Sequence, residues 1–375
     1  VAIGRLLVAN RGEVAARVFR TCRRLGIETA AVVAPDDTRS LHARLARETF
    51  EVESYLDAGE LVRAAVSSGA DAVHPGWGFL AESAEFAEAV MEQGLVWVGP
   101  PPEAMRLAGD KLAAKDTARA AGVPTLPSGR AAEIGFPLIV KAAGGGGGRG
   151  MRAVRRPEDL DEALASARRE ARAAFGDDRV YCEPLVDRAS HVEVQILAAA
   201  DGIAVLGERD CSVQRRHQKV LEETPSPAVD PPLRERLFEA STRLAIAAGY
   251  RNAGTVEFLV QGDDCWFIEL NARLQVEHPV TEEVTGIDLV EQQLRIAEGA
   301  APPATRPEGH AVEARLYAEH PLTFLPQAGT LERFDLPEIR VDAGVEEGDP
   351  VPVAYDPLLA KLIARGEGRD EALDI

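Results

Sequence analysis

Between Glu269 and Pro279 the chain reads E-L-N-A-R-L-Q-V-E-H-P, with polar and apolar residues in strict alternation. Glu269, Asn271, Arg273, Gln275 and Glu277 take the odd places, and Leu270, Ala272, Leu274 and Val276 the even ones. A period of two belongs to extended chain, whose successive side chains point to opposite faces. Extended, this stretch sets two carboxylates, two amides and a guanidinium along one side and an apolar row on the other. It demands a sheet with one face in a core. The other face is either wet, as on any half-exposed strand, or a row of ligands for something charged. Pro279 marks the second half of the stretch as a loop rather than a strand.

The rest of the chain supplies the setting. Arg5–Asn10 is an apolar run fit for a buried strand, Arg11-Gly12 turns, and Glu13–Leu25 predicts a helix with Val14, Val18, Cys22 and Leu25 on one face. Ile27–Val33, Asp71–His74 and Leu95–Gly99 read as further strands. Strands alternating with helices predict a parallel sheet covered on both faces. The dinucleotide signature G-x-G-x-x-G is absent, so NAD binding is not supported. His74-Pro75-Gly76-Trp77-Gly78-Phe79-Leu80 follows a strand end, where such sheets carry functional loops. Pro100-Pro101-Pro102 closes this unit. A helical connector, Leu107–Ala121, carries Lys111, and Pro124–Gly129 breaks the chain. Phe136–Ala142 and Val180–Leu185 predict strands of a small second unit. His191–Leu197 alternates again and opens a larger third unit, in which Ala300–Pro307 is a surface connection. The expected class is α/β and α+β, with units at 1–110, 111–185 and 186–375.

Five consecutive glycines, Gly144 to Gly148, follow the strand that holds Lys141. Such a run is conformationally expensive, and its bare N–H groups suit phosphate. The P-loop pattern G-x-x-x-x-G-K-[ST] does not fit, which leaves a glycine flap on a small lid. Thr255–Val260 and Cys265–Leu270 predict a hairpin through Gly262-Asp263-Asp264. A three-residue loop would pair Gln261 with Cys265 and set Glu257 opposite Glu269. Like charges so placed repel, and a divalent cation between them removes the penalty. Asn271, on the same face, is a further oxygen ligand. A different register, or carboxylates turned to water, would remove that site. The apolar residues between them oppose a fully solvated hairpin.

The net charge of −19 excludes a general attraction to nucleic acid or anionic lipid. An anionic substrate therefore needs local positive charge, and Gln214-Arg215-Arg216-His217-Gln218-Lys219 is such a cluster. The four cysteines form no C-x-x-C, against a zinc or disulfide framework and for a reducing compartment. No run approaches the length of a membrane span. A cytoplasmic protein is expected, or the mature form of an organellar one.

With these words in order the chain resembles the biotin carboxylase component of biotin-dependent carboxylases, an ATP-grasp family. The matching words are Ala9-Asn10-Arg11-Gly12-Glu13, His74-Pro75-Gly76, Gly109-Asp110-Lys111, the Lys141–Met151 glycine loop, Glu208-Arg209-Asp210-Cys211-Ser212, Arg215-Arg216-His217-Gln218-Lys219 and Glu269–Glu282. Around Arg340-Val341-Asp342 and Tyr355-Asp356-Pro357 the wording looks closest to acyl-CoA (acetyl- or propionyl-CoA) carboxylase α chains. The resemblance implies an N-terminal Rossmann-like domain, a lid, and a C-terminal mixed-sheet domain, with the third read as truncated at Ile375. It implies that bicarbonate attacks MgATP to give carboxyphosphate, whose carboxyl group passes to biotin.

By position, the resemblance gives ATP to Lys111, Lys141, Gly145, Gly146, Gly147, Gly148, Glu183, His191, Gln214, His217, Gln218 and Leu259. Mg²⁺ (or Mn²⁺) would go to Glu257, Glu269 and Asn271. Bicarbonate would go to Lys219, Arg273, Gln275 and the Val276 main chain, with Glu277 as general base. Biotin would go to Trp77 and Arg340, and the catalytic set would be Glu277, Arg273, Lys219 and Arg340. The partners implied are a biotin carboxyl carrier domain or protein, a carboxyltransferase subunit and a second copy of the chain. Trp77 stands where the family often has Tyr, and Pro184 after Glu183 lacks an N–H. The segments Leu126–Gly135 and Val52–Tyr55 are shorter than usual. Two other readings stay open: a different ATP-grasp ligase that forms an acyl phosphate, and an inactive truncated assembly subunit.

Overall fold

A strand with no polar face can only lie inside a sheet covered on both sides. Leu6, Leu7 and Val8 meet that condition with no exposed surface. In the computed structural model, which describes residues 2–144, 150–216 and 218–375, Arg5–Val8 (β1) is the middle of five parallel strands. Glu28–Val33 (β2) and Glu48–Glu51 (β3) lie to one side, Ala72–His74 (β4) and Val96–Trp97 (β5) to the other. The edge strand β3 is mostly exposed and polar, as an edge should be. β1 is shorter than its apolar run, because Asn10 leaves the sheet. Its side-chain amide donates to the carbonyls of Pro75 (2.7 Å) and Trp77 (2.8 Å) and fixes the loop after β4.

The helix Gly12–Leu25 (α1) buries its expected face, Val14, Val18 and Cys22, but also Glu13 and Arg17. It packs on the parallel sheet, on the helices Leu41–Leu45 and Leu289–Ala297, and on the C-terminal strands Arg340–Ala343 and Leu358–Gly366. The connector is two helices, Pro102–Gly109 and Lys111–Ala120, rather than one. Asp110 takes an extended backbone between them, and its carboxylate accepts from the N–H of Leu112 and Ala113. The short side chain thus caps a new helix whose first residue is Lys111.

The lid sheet has Leu138–Ala142 in the centre, flanked antiparallel by Arg152–Val154 and Val180–Pro184. Beyond it stands an eight-stranded sheet. Its order is Asp264–Asn271, Asn252–Gln261, Ser190–Ala199, Gly202–Arg215, Gln218–Thr224, His310–Tyr317, Leu358–Gly366, Arg340–Ala343. This sheet, expected to be mixed, is antiparallel at every described pair. Short hairpin returns, which connect antiparallel neighbours, account for three of its pairings.

The hairpin reaches the expected pairing by another route. Its turn has two residues, so Gln261 pairs with Asp264 rather than Cys265. That shift alone would move Glu257 off Glu269. A bulge restores it: Phe258 pairs with Phe267 and Glu257 with Glu269, leaving Ile268 as the extra residue. The alternating stretch is a strand only to Asn271. It continues as a loop and becomes the helix His278–Thr285. All four apolar positions are buried, yet so are Asn271, Gln275 and Glu277. Other elements cover what a lone strand would have shown to water.

Candidate active site

Glu257, 3% exposed, stands at the centre. One carboxylate oxygen accepts from Asn271 Nδ2 (2.9 Å) and Lys219 Nζ (2.9 Å), and the other bonds His191 Nε2 (2.6 Å). The register explains the meeting, since Leu259 lies across from His191 and Glu257 from Glu193. Lys219 reaches over from the strand Gln218–Thr224. Its ammonium also bonds Glu193 (2.7 Å) and Glu277 (2.7 Å). Burial opposes the charge on Lys219, but Cys211 and the carboxylates of Glu193, Glu257 and Glu277 outweigh it and hold the group well above the ordinary lysine value. Glu257 is likewise buried, yet Lys219 and His191 hold it well below the usual carboxylate range.

Lys111 Nζ bonds Glu269, its sole hydrogen-bond partner among the described residues. Thus the repulsion between the two facing carboxylates is relieved by lysines from two directions. Burial, then the neighbouring Lys141, pushes Lys111 down to about 8. Glu257 and Glu269 are paired across the hairpin, and Asn271, two residues past Glu269, donates its amide to Glu257, so residues of the oxygen-bearing kind that a hard divalent cation takes stand together there. Glu193, Cys211 and Glu277 also lie close enough together to hold an ion. There the Lys219 ammonium already bonds both carboxylates, so that cluster is filled by protein charge.

On the lid, Lys141 lies 2.7 Å from Glu183, which also pairs with Lys115. The carboxylate of Glu183 is committed to these two ammonium groups. Leu259 is half-buried, and Gln218 is exposed. Gln214 Nε2 lies 2.9 Å from His191 Nδ1 and donates to the Cys211 carbonyl (2.9 Å), which orients the ring. Gly145 to Gly148 and His217 lie outside the described residues.

Past Asn271 the loop carries the remaining groups. Arg273 Nε lies 3.2 Å from Glu82, beyond the His74–Leu80 word, and its Nη1 donates to Gln275 Oε1 (3.2 Å). Gln275 Nε2 is buried with no partner among the described residues. Glu277 accepts from Lys219 and from Arg315 Nη2 (3.0 Å). Burial alone would raise its pKa, but Lys219, Arg315 and Arg209 hold the group well below the carboxylate range. It is an ionised acceptor at the mouth of a helix.

Arg340 is already shared among Glu282 (2.6 Å), Glu283 (3.0 Å) and Asp342 (3.0 Å). Trp77 is half-buried against the apolar cluster that includes Val14 and Val18. No hydrogen bond joins it to Arg340 among the described residues.

Sequence reasoning missed Arg209, fully buried between Glu193 (2.6 Å), Gln195 (2.8 Å) and Thr281 (2.8 Å). It missed Arg315, which ties Glu277 to Glu222 (2.5 Å). It also missed Lys361, buried against Glu13 (2.8 Å). A single lysine inside L-L-A-K-L-I was the available signal, because a charge in an apolar strand needs a buried partner.

The chain also matches known protein families and structures. Residues 2–105 match the biotin carboxylase N-terminal domain, 110–304 the carbamoyl-phosphate synthase L chain ATP-binding domain, and 313–375 the biotin carboxylase C-terminal domain. The chain is 46% identical to a biotin carboxylase of Halalkalibacterium halodurans, over 98% of this chain and 88% of that protein. It is 48% identical to the mitochondrial methylcrotonoyl-CoA carboxylase subunit alpha of Oryza sativa, over 99% of this chain but only 54% of that subunit. The biotin carboxylase domain of Hydrogenobacter thermophilus 2-oxoglutarate carboxylase, solved as a dimer with MgADP, ADP and bicarbonate, superposes with a TM-score of 0.97 at 39% identity. It covers 100% of this chain, which spans 88% of that one. The fold and the matched domains therefore define an ATP-grasp ligase. Within that class, the chain belongs to the biotin carboxylase family.

Proposed function

We propose that the chain carboxylates biotin, borne on a carrier domain or protein, with bicarbonate and MgATP, as the first half-reaction of an acyl-CoA carboxylase. The observation that carries this is the position of Lys219. One ammonium touches Glu257 of the cation face and Glu277 of the loop, so the two substrates would meet across it. Lys111 and Lys141 would hold phosphates, with the adenine at the main chain after Glu183 and beside Leu259. His191, Gln214, His217 and Gln218 would line that site. Mg²⁺ on Glu257, Glu269 and Asn271 would neutralise phosphate charge, with Lys111 moving from Glu269 to the nucleotide.

Lys219, Arg273, Gln275 and the Val276 main chain would hold bicarbonate while Glu277 accepts its proton. Attack of bicarbonate on the γ-phosphate would release ADP, and the carboxyphosphate would split into carbon dioxide and phosphate. The phosphate would take the biotin ring proton and the ring nitrogen would bond the carbon dioxide, with Arg340 stabilising the deprotonated ring and Trp77 stacking on it. A carboxyltransferase and the carrier would be partners, as in other biotin-dependent carboxylases. No described helix is long and apolar enough to cross a membrane, and four buried, unpaired cysteines suit a reducing compartment.

The test is ATP hydrolysis by the purified chain. It should require bicarbonate and rise with free biotin. Hydrolysis that ignores biotin and needs ammonia would instead mark another ATP-grasp ligase.

A second expectation concerns alkaline pH. The folded value of Lys111 lies below that of free lysine, so its charge is present below pH about 8 and lost above it. The ratio kcat/KM for ATP should fall as pH rises through that value. Lys111→Arg, charged throughout, should move the limb upward. A limb that stays put would belong to another group.

A further inference from the structure

The loop at Val276 is held by two buried side chains for which the reaction gives no use. His278, with no exposed surface, bonds the Gln275 carbonyl through Nδ1 (2.7 Å). A carbonyl can only accept, so Nδ1 carries the proton. Burial, reinforced by Lys361 and Arg17, keeps the ring neutral. One residue on, Lys361 Nζ donates to the Val276 carbonyl (2.9 Å). Lys361 is also wholly buried, and its charge is met by Glu13 of α1 (2.8 Å) and, further off, Asp342 (4.0 Å). Its strand places it between Arg315 on one neighbour and Asp342 on the other.

The peptide unit is planar and trans, so a pinned C=O fixes the N–H on its far side. His278 fixes the peptide that carries the N–H of Val276, and Lys361 fixes the peptide that carries the N–H of Glu277. Among the described residues, neither N–H donates to a protein group. Two donors are thus held in set directions with no acceptor of their own, and a buried donor left so is costly.

We propose that His278 and Lys361 are positioning residues that clamp the main chain on both sides of Val276 and aim its N–H groups at the bicarbonate. This rests on the function proposed above. It gives a task to Glu13, at the end of the first conspicuous sequence word: it neutralises the lysine that holds the anion loop. The N-terminal helix therefore helps to shape a substrate site on the C-terminal sheet.

Steady-state kinetics test the clamp, with wild type as the control. Wild-type hydrolysis that does not depend on bicarbonate overturns the parent function and the clamp together. Given that dependence, Lys361→Met should raise KM for bicarbonate about tenfold while KM for ATP stays within about twofold. Lys361→Met leaves Glu13 without its cation, so the double variant Lys361→Met/Glu13→Gln guards against failure to fold. His278→Leu should show the same split, and His278→Asn, whose amide can donate from the Nδ1 position, should recover most of the bicarbonate KM. A purely structural role would lower the folded, active fraction and leave both KM values alone. Folded Lys361→Met/Glu13→Gln or His278→Leu protein with the wild-type bicarbonate KM overturns the clamp.

Discussion

Glu277→Gln should slow bicarbonate-dependent ATP hydrolysis by about 10²–10⁴-fold, the usual loss for a general base, with little change in MgATP affinity. The carboxylate is 1% exposed and faces Lys219 and Arg315. Its folded pKa is depressed despite burial. Its ionic contribution is therefore present above the ordinary glutamate range and lost only as pH falls through the lowered value. At neutral pH the wild-type group is fully charged. Glutamine keeps the shape and one acceptor oxygen for Lys219 but cannot take a proton. Single-turnover rates and nucleotide titration separate the two effects. A large fall in MgATP affinity would place Glu277 at the nucleotide and remove it from bicarbonate.

Lys219→Met should destabilise the fold by about 3–5 kcal/mol, the range for breaking a buried ion pair by removing one partner. It should also abolish turnover. Glu193, Glu257 and Glu277 all bond this ammonium. Arg209 still holds Glu193, and Arg315 still holds Glu277. Glu257 keeps His191 and Asn271. Each carboxylate so retains a donor, but their mutual repulsion returns. Urea unfolding reads the loss directly, and adding Glu193→Gln should recover part of it. An unchanged midpoint would mean that the three carboxylates do not share a poorly hydrated space.

How far the sequence could be read follows from the range of each interaction. The parallel sheet was legible because apolar runs and intervening helices are local patterns. So was the Glu257–Glu269 pair, although the loop length behind it was wrong and a compensating bulge made it right. Ile268 gives no local sign of being an extra residue. The division of the connector at Asp110 is a capping event that a helical periodicity passes over. Arg209, Arg315 and Lys361 matter through partners far away in the chain, such as Thr281, Glu277 and Glu13. Periodicity cannot see such pairs. It shows only that a charge stands where an apolar residue would be ordinary. The roles of Trp77 and Arg340 came from resemblance, and the side chains around them are arranged for internal pairing and packing.

The bulge at Ile268 lies between the hairpin tip and the facing glutamates. Gln261, Gly262, Asp263 and Asp264 at the tip are all exposed. Slack in the ladder thus sits upstream of the residues whose register matters. Lengthening the tip by a residue could be absorbed by re-pairing within the outer part of the hairpin, leaving Glu257 across from Glu269. The hairpin is a mechanical decoupler, and its tip is the place to graft a reporter or an affinity peptide without disturbing the chemistry at its base.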